Sequence, residues 1–340
     1  MAMTEWIKMD DKEVGIKINA RMLPFPQSIS PEAQAVLRRL VNEDGVPLNS
    51  LHTMPAIDDH DGWLAVKEAT GRYYTALAEQ LAPTLRSSVE TVKTGDAVIH
   101  IATPAEPFNT ELAYIELHGG AFVFGGGEAC RVGAQMQADQ LGIRCFSIDY
   151  RMPPEHCHPA ALDDCLAAYR YVLDRHESGN VIIGGRSAGG NLAVAMLLRA
   201  RDEGLPFPAA LILLSPEVDL TESGDSFQVN TMIDAMLPIS LMQPNLLYAG
   251  GADLTDPYVS PLFGDFDGFP PTFLQTGTRD LFLSNAVRMH RSLRRVGVSA
   301  ELHVFEAMPH GGFTGGTPED AELLVEIRNF VKRHLNATRL

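Results

Sequence analysis

The sequence predicts an α/β fold, a mostly parallel β-sheet with helices on both faces, and two observations carry that reading. From Ser87 onward, short runs rich in β-branched residues alternate with longer runs of helical periodicity. Most strand candidates are also separated by a helix-length segment, the connection a parallel pair requires.

The first two candidates, SSVETVK (87–93) and AVIHIA (97–102), lie next to each other and read as a hairpin. LAYIELH (112–118) follows, then a helical pattern over 130–141 and the strand run IRCFSID (143–149). A helix over 159–175 leads to NVIIGG (180–185), and a helix over 188–202 leads to ALILLS (210–215). The series closes with PTFLQTG (271–277), a helix over 284–296, AELHVFE (300–306) and a helix over 318–334. Two stretches break the rhythm. Residues 1–80 are rich in helix formers but offer no convincing strand, and residues 221–255 interrupt the alternation after ALILLS, so both read as additions to a core within 81–340. The second carries Met232 and Met236 among other soft apolar side chains, which suit a lid over a substrate pocket or, equally, a helix pair packed on the core.

A chain of 340 residues can be one α/β domain with insertions. Its 43 acidic residues against 27 Lys and Arg give a formal charge of −16, which repels phosphate backbones and anionic lipid and argues against nucleic acid or a membrane as partner. No run reaches the roughly 18 apolar residues of a membrane span. The first 22 residues lack the apolar core of a secretory signal, and the four cysteines form no CxxC pair, so a cytoplasmic protein with reduced thiols is expected. The triplet His156, Cys157, His158 has no second ligand set beside it, and no metal site is expected.

Ligands of open parallel sheets collect beyond the carboxyl ends of the strands. There the pentapeptide GRSAG (185–189) matches Gly-x-Ser-x-Gly, the strand-to-helix turn that lifts a serine into the open. A plain Gly-rich turn has the same composition. A serine hydroxyl needs a base, and the base needs an orienting carboxylate. Of eleven histidines, His310 is best placed, on a Pro- and Gly-flanked loop past the last strand, whereas His303 lies within a strand run and His290 on a helix. Asp280 follows a strand directly; Asp256 and Asp219 compete from in or next to the interrupting stretch. Backbone N–H groups of Gly119 and Gly120, in the Gly-rich loop after the third strand run, together with that of Ala188, are candidates for an oxyanion hole. The loop has neither a P-loop lysine nor a dinucleotide-binding glycine spacing.

Seven stretches together resemble the hormone-sensitive-lipase-like branch of the α/β-hydrolase carboxylesterases: HGGA (118–121), DYRMPPEHCHPAALDD (149–164), GRSAGG (185–190), SPEVDL (215–220), DPYVSP (256–261), GTRDL (277–281) and MPHGGF (308–313). The resemblance covers about residues 112–315. It implies an eight-stranded sheet, a helical cap built from the N-terminus and the insertion, and hydrolysis of short- to medium-chain acyl esters with no metal or organic cofactor. It casts Ser187 as nucleophile, His310 as base, Asp280 as its orienter, and Gly119, Gly120 and Ala188 as oxyanion donors, while His118 supports its loop. The expected protein is a serine carboxylesterase acting on a small-molecule ester through an acyl-enzyme. A lactone hydrolase on the same triad is the alternative reading, and a non-catalytic ligand-binding scaffold the more distant one. The oligomeric state is left open, a homodimer included. Three residues depart from the family pattern: Ala121 replaces a third glycine, Arg186 stands where an acid is usual, and Glu217 where Trp is common. Since Arg186 and Glu217 end strands expected to be neighbours, an ion pair between them is expected, with Glu155 or solvent as the alternative for Arg186.

Overall fold

Eight runs of β-branched and aromatic residues form one sheet: β1 (Ser88–Thr94), β2 (Ala97–Thr103), β3 (Ala113–Leu117), β4 (Arg144–Asp149), β5 (Val181–Arg186), β6 (Ala210–Leu214), β7 (Thr272–Gly277) and β8 (Ala300–Phe305). The structure, a computed structural model, describes residue 16 and residues 20–106 and 109–335. Most of the amino-terminal stretch read for an export signal lies outside these residues. The strand order is β1-β2-β4-β3-β5-β6-β7-β8. The β1–β2 and β2–β4 pairs are antiparallel and all later pairs parallel.

Helices α1 (Pro31–Arg39) and α2 (His60–Leu81) precede the sheet, and α3 (Glu128–Leu141), α4 (Ala160–Leu173) and α5 (Ala188–Asp202) connect its parallel strands. Short α6 (Ser226–Val229) and α7 (Met242–Ala249) lie between β6 and β7, followed by α8 (Leu283–Arg295) and α9 (Pro318–His334). The period of two along each strand decides which layer a side chain joins. Ile115, Leu117 and Ile183 enter one apolar layer with residues of α4 and α5, whereas Tyr114 and Ile182 enter the other with residues of α3 and α9. The second layer is closed by α9, whose start is fixed by a capping box between Thr317 and Asp320.

The chain leaves β3 for β4 on one side and returns to β5 on the other, so the crevice beyond the ends of β3 and β5 is the topological switch point, where such sheets bind ligands. Both non-rhythmic segments gather around it. Ile29, Ala33, Val36 and Leu37, at and within α1, pack on Ala307, Met308 and Phe313 of the loop after β8. Trp63 of α2 is fully buried against Val123 and Phe124, in the loop after β3, and Leu247 of α7. Burial of apolar side chains on this scale stabilises each contact by about 1.5–3 kcal/mol per side chain. Among the described residues no helix is long and apolar enough to cross a membrane.

Candidate active site

At the end of β5 the chain turns sharply into α5, and Ser187 occupies the turn with φ 55° and ψ −123°, backbone angles that are strained for any residue with a side chain. The strain is held from both sides. The Ser187 N–H donates to the Leu214 carbonyl (3.0 Å), while its own carbonyl accepts from Gly190 (2.9 Å) and Glu217 (3.1 Å). A Cβ at Gly185 would lie 2.2 Å from the Gly189 carbonyl oxygen, and one at Gly189 would lie 2.0 Å from that of Leu117, so the turn admits only glycine there.

Nε2 of His310 lies 3.0 Å from Ser187 Oγ, and its Nδ1 lies 3.2 Å from Oδ1 of Asp280. The ring of Phe282 meets the imidazole edge-on at 4.7 Å. Asp280 is fully buried; Oδ1 also accepts the Phe282 N–H (2.9 Å), and Oδ2 accepts the Thr276 hydroxyl (2.7 Å). Burial by itself would push this carboxyl up, but the hydrogen bond and charge of His310, with the Phe282 and Thr276 donors, hold it below the ordinary carboxylate range. The competing acids serve elsewhere: Asp256 accepts the Tyr258 N–H, and Asp219 binds Thr221, Ser223 and Arg288. Of the residues around the pair, Thr276 and the Phe282 N–H were not anticipated from the sequence, since neither belongs to a motif that names it.

Gly119 packs directly on the turn: a Cβ there would be 3.1 Å from the Arg186 carbonyl oxygen and 3.3 Å from Ser187 Cβ. Gly120 adopts φ +124°, and a Cβ on it would meet the Phe124 carbonyl oxygen at 2.2 Å. Ala188 opens α5, so its N–H has no acceptor one turn back in the helix and sits at the positive end of the helix dipole. His118 Nδ1 lies 2.8 Å from the Gly119 carbonyl, and its ring stacks on Tyr150 at 4.1 Å; burial lowers its pKa. Donor atoms of His118, Cys130 and Asp149 fall within 4.8 Å of one another, but burial drives the Cys130 thiol well above its usual range, and it hydrogen-bonds Ser147 at 3.2 Å. His118 and Asp149 are themselves engaged by the backbone of the loop, at Gly119 and Gly127.

Met232 stands on a turn with φ +62° and is 45% exposed. The Met236 carbonyl accepts the Asn49 side-chain amide at 2.7 Å, so the insertion touches the N-terminal segment there.

The expected Arg186–Glu217 ion pair does not form. Although β5 and β6 are neighbours, with Arg186 opposite Leu214, the chain turns at Ser215 (φ 45°) before it reaches Glu217, and the two side chains do not meet. Nη1 of Arg186 donates to the carbonyl of Gly311 (2.7 Å), tying the serine turn to the His310 loop. Glu155, the alternative partner, pairs with Lys67. Glu217 lies beneath the turn, fully buried, and neither of its carboxyl oxygens has a hydrogen-bond partner among the described residues. Burial raises its pKa to about 8, an effect reinforced by the charges of Glu222 and Asp219.

Because the folded state holds this proton more tightly than the unfolded chain, the associated stability is complete below the ordinary glutamate pKa and is lost as pH rises through about 8. Glu217→Gln is therefore expected to flatten the alkaline decline. Calorimetry should show the variant's Tm gaining on that of the parent by several degrees between about pH 5 and about pH 9. A constant difference across that range would show that Glu217 does not titrate there.

A strained serine at the sheet's switch point, an imidazole on its hydroxyl and a buried carboxylate on the imidazole define a serine hydrolase of the α/β class. A family model described as the alpha/beta hydrolase fold matches residues 114–314. An esterase of Acinetobacter venetianus is 32% identical over 231 residues, covering 66% of this chain and 76% of that protein. The solved structure of an esterase E25 superposes with a TM-score of 0.87 at 36% identity, covering 95% of this chain and 99% of the other. An esterase from the bacterial hormone-sensitive lipase family gives 0.77 at 28% identity, covering 91% and 100%. The chain belongs to the hormone-sensitive-lipase-like family of α/β-hydrolase esterases.

Proposed function

We infer that this carboxylic ester hydrolase cleaves short- to medium-chain acyl esters of small molecules through an acyl-enzyme on Ser187. The observation that carries the reading is the unbroken line from Ser187 Oγ through His310 to buried Asp280, at 3.0 and 3.2 Å. In the first half-reaction His310 Nε2 takes the Ser187 proton as Oγ bonds to the acyl carbon. Charge arriving on the carbonyl oxygen is met by the N–H groups of Gly119, Gly120 and Ala188, a contribution worth about 3–4 kcal/mol per donor in such sites. The imidazolium passes its proton to the departing alkoxide, the C–O bond breaks and the alcohol leaves. Water then enters, gives a proton to His310 and attacks the acyl carbon; the proton returns to Ser187 Oγ as the acid is released.

The described part of residues 1–80, together with residues 221–255, acts as a cap over the catalytic domain. This is supported by Trp63 packing on Phe124 and Leu247, and by Phe227 and Leu241 packing with Leu281, Phe282 and Ala121. On this reading Met232 and Met236 line the acyl end of the pocket. Tryptophan at either position is expected to shift the preferred acyl length toward shorter chains by roughly tenfold in relative kcat/KM, the worth of one or two methylenes in an apolar pocket. A uniform loss across all lengths would instead make both residues structural.

The test of the function is a series of p-nitrophenyl acyl esters from acetate to laurate, with a set of lactones alongside. Butyrate belongs in it, since p-nitrophenyl butyrate was soaked into crystals of the related EstE5. Turnover greatest among the shorter linear esters supports the reading; higher kcat/KM on lactones would replace it with the lactonase.

A further inference from the structure

Asp234 lies in the insertion between β6 and β7, outside every recognised motif, and is fully buried. Its Oδ2 accepts two backbone N–H groups, from Leu281 at 2.8 Å and from His310 at 3.0 Å. Its Oδ1 accepts two more, from Met236 at 2.9 Å and Leu237 at 3.0 Å. A single oxygen atom thus joins the main chain of His310 to the residue following Asp280. The insertion grips the same loop at one-turn intervals. Asn230 Nδ2 donates to the Asp280 carbonyl at 2.8 Å, and Ser226 Oγ donates to that of Leu281 at 2.6 Å.

We propose that Asp234 is a positioning residue for the reaction: its carboxylate fixes the His310 and Asp280 loops relative to each other and so keeps the imidazole on the line between Ser187 and Asp280. The inference rests on the reading of Ser187, Asp280 and His310 as the catalytic set. The Nδ1–Oδ1 separation of 3.2 Å sits at the long end of a hydrogen bond, so further separation of the two loops breaks it. A carboxylate this deep, beside the like charge of Asp280, is costly, and its pKa is pushed up by burial and by that neighbour. Four N–H donors are what make the anion tolerable there. A loop that needed only to be closed had no need of a charge at this depth.

The experiment compares Asp234→Asn and Asp234→Glu with Asp219→Asn. Asp219 is a buried carboxylate just before the same insertion that binds Arg288 and touches neither the Asp280 nor the His310 loop. Asparagine keeps one acceptor oxygen and turns an NH2 group toward two N–H donors. For Asp234→Asn, kcat on p-nitrophenyl butyrate is expected to fall about 100-fold with KM within about threefold of the parent, the signature of a misplaced catalytic group. The low-field proton resonance of the His310–Asp280 hydrogen bond is expected to shift or vanish. Asp219→Asn, at a comparable loss of Tm, is expected to retain kcat and the resonance. If Asp234→Asn does not fold, Asp234→Glu, which keeps the charge but displaces the oxygens, is judged by the same two readouts. Retention of kcat and of the resonance in a folded Asp234 variant overturns the proposal. Activity that survives Ser187→Ala would instead overturn the catalytic assignment beneath it.

Discussion

Replacing Ser187 with alanine is expected to lower kcat by about 10⁵- to 10⁶-fold while leaving ester binding close to that of the parent protein. The hydroxyl is the only protein group in the proposed mechanism that bonds to the acyl carbon, and nothing else at the turn can replace it. Residual catalysis would come from the N–H groups of Gly119, Gly120 and Ala188, which are untouched by the change. Two measurements check this: a pre-steady-state burst of p-nitrophenol, present in the parent and absent in the variant, and the mass of a phosphonate adduct mapped to Ser187. Turnover within about 100-fold of the parent, or an adduct on another residue, would remove Ser187 from the role.

The next largest loss is expected for Asp280→Asn, about 10⁴-fold in kcat. An amide at this position can present NH2 to His310 Nδ1, and the imidazole then holds its proton on Nε2, where it cannot accept that of Ser187. The amide also gives up one of the oxygens on which the Phe282 N–H and the Thr276 hydroxyl now rest. Asp256→Asn, whose carboxylate caps a turn at Tyr258, is expected to stay within about threefold of the parent. Equal losses in the two variants would show that Asp280 acts through structure alone.

The sheet was readable because its strands announce themselves. In 180–185 a β-branched run ends in glycines, and the strand it specifies is Val181–Arg186; α5 and α9 start and stop where their periodicity does. Ser187, Asp280 and His310 were legible as candidates because each lies in the segment that follows a strand, where the fold converges side chains. The segments flanking the site were not. Of the 22 residues of α2 only Trp63 and Ala78 are buried, too few to write an apolar stripe, and α6 and α7 are too short to show a period. Arg186 and Glu217 were misjudged because strand adjacency says nothing of which side a residue takes once the chain has turned at Ser215. Asp234 was missed for a deeper reason. Its partners are backbone N–H groups of Leu281 and His310, which every residue but proline carries, and no side-chain identity marks their arrival from distant points in the chain.

The spacing of Ser226, Asn230 and Asp234, each four residues from the next and each bonded to the strand-end loops beneath, limits how this fold can be recombined. Were the insertion held only by apolar contact, it would be a portable module, and transplanting one from a relative would change substrate choice and nothing else. If the insertion caps the pocket and Asp234 positions His310 as proposed, a chimaera inherits the donor's register along with its pocket, and selectivity and proton-transfer geometry travel together. Recombination that spares both must cut after the stitched turn, between Asp234 and α7.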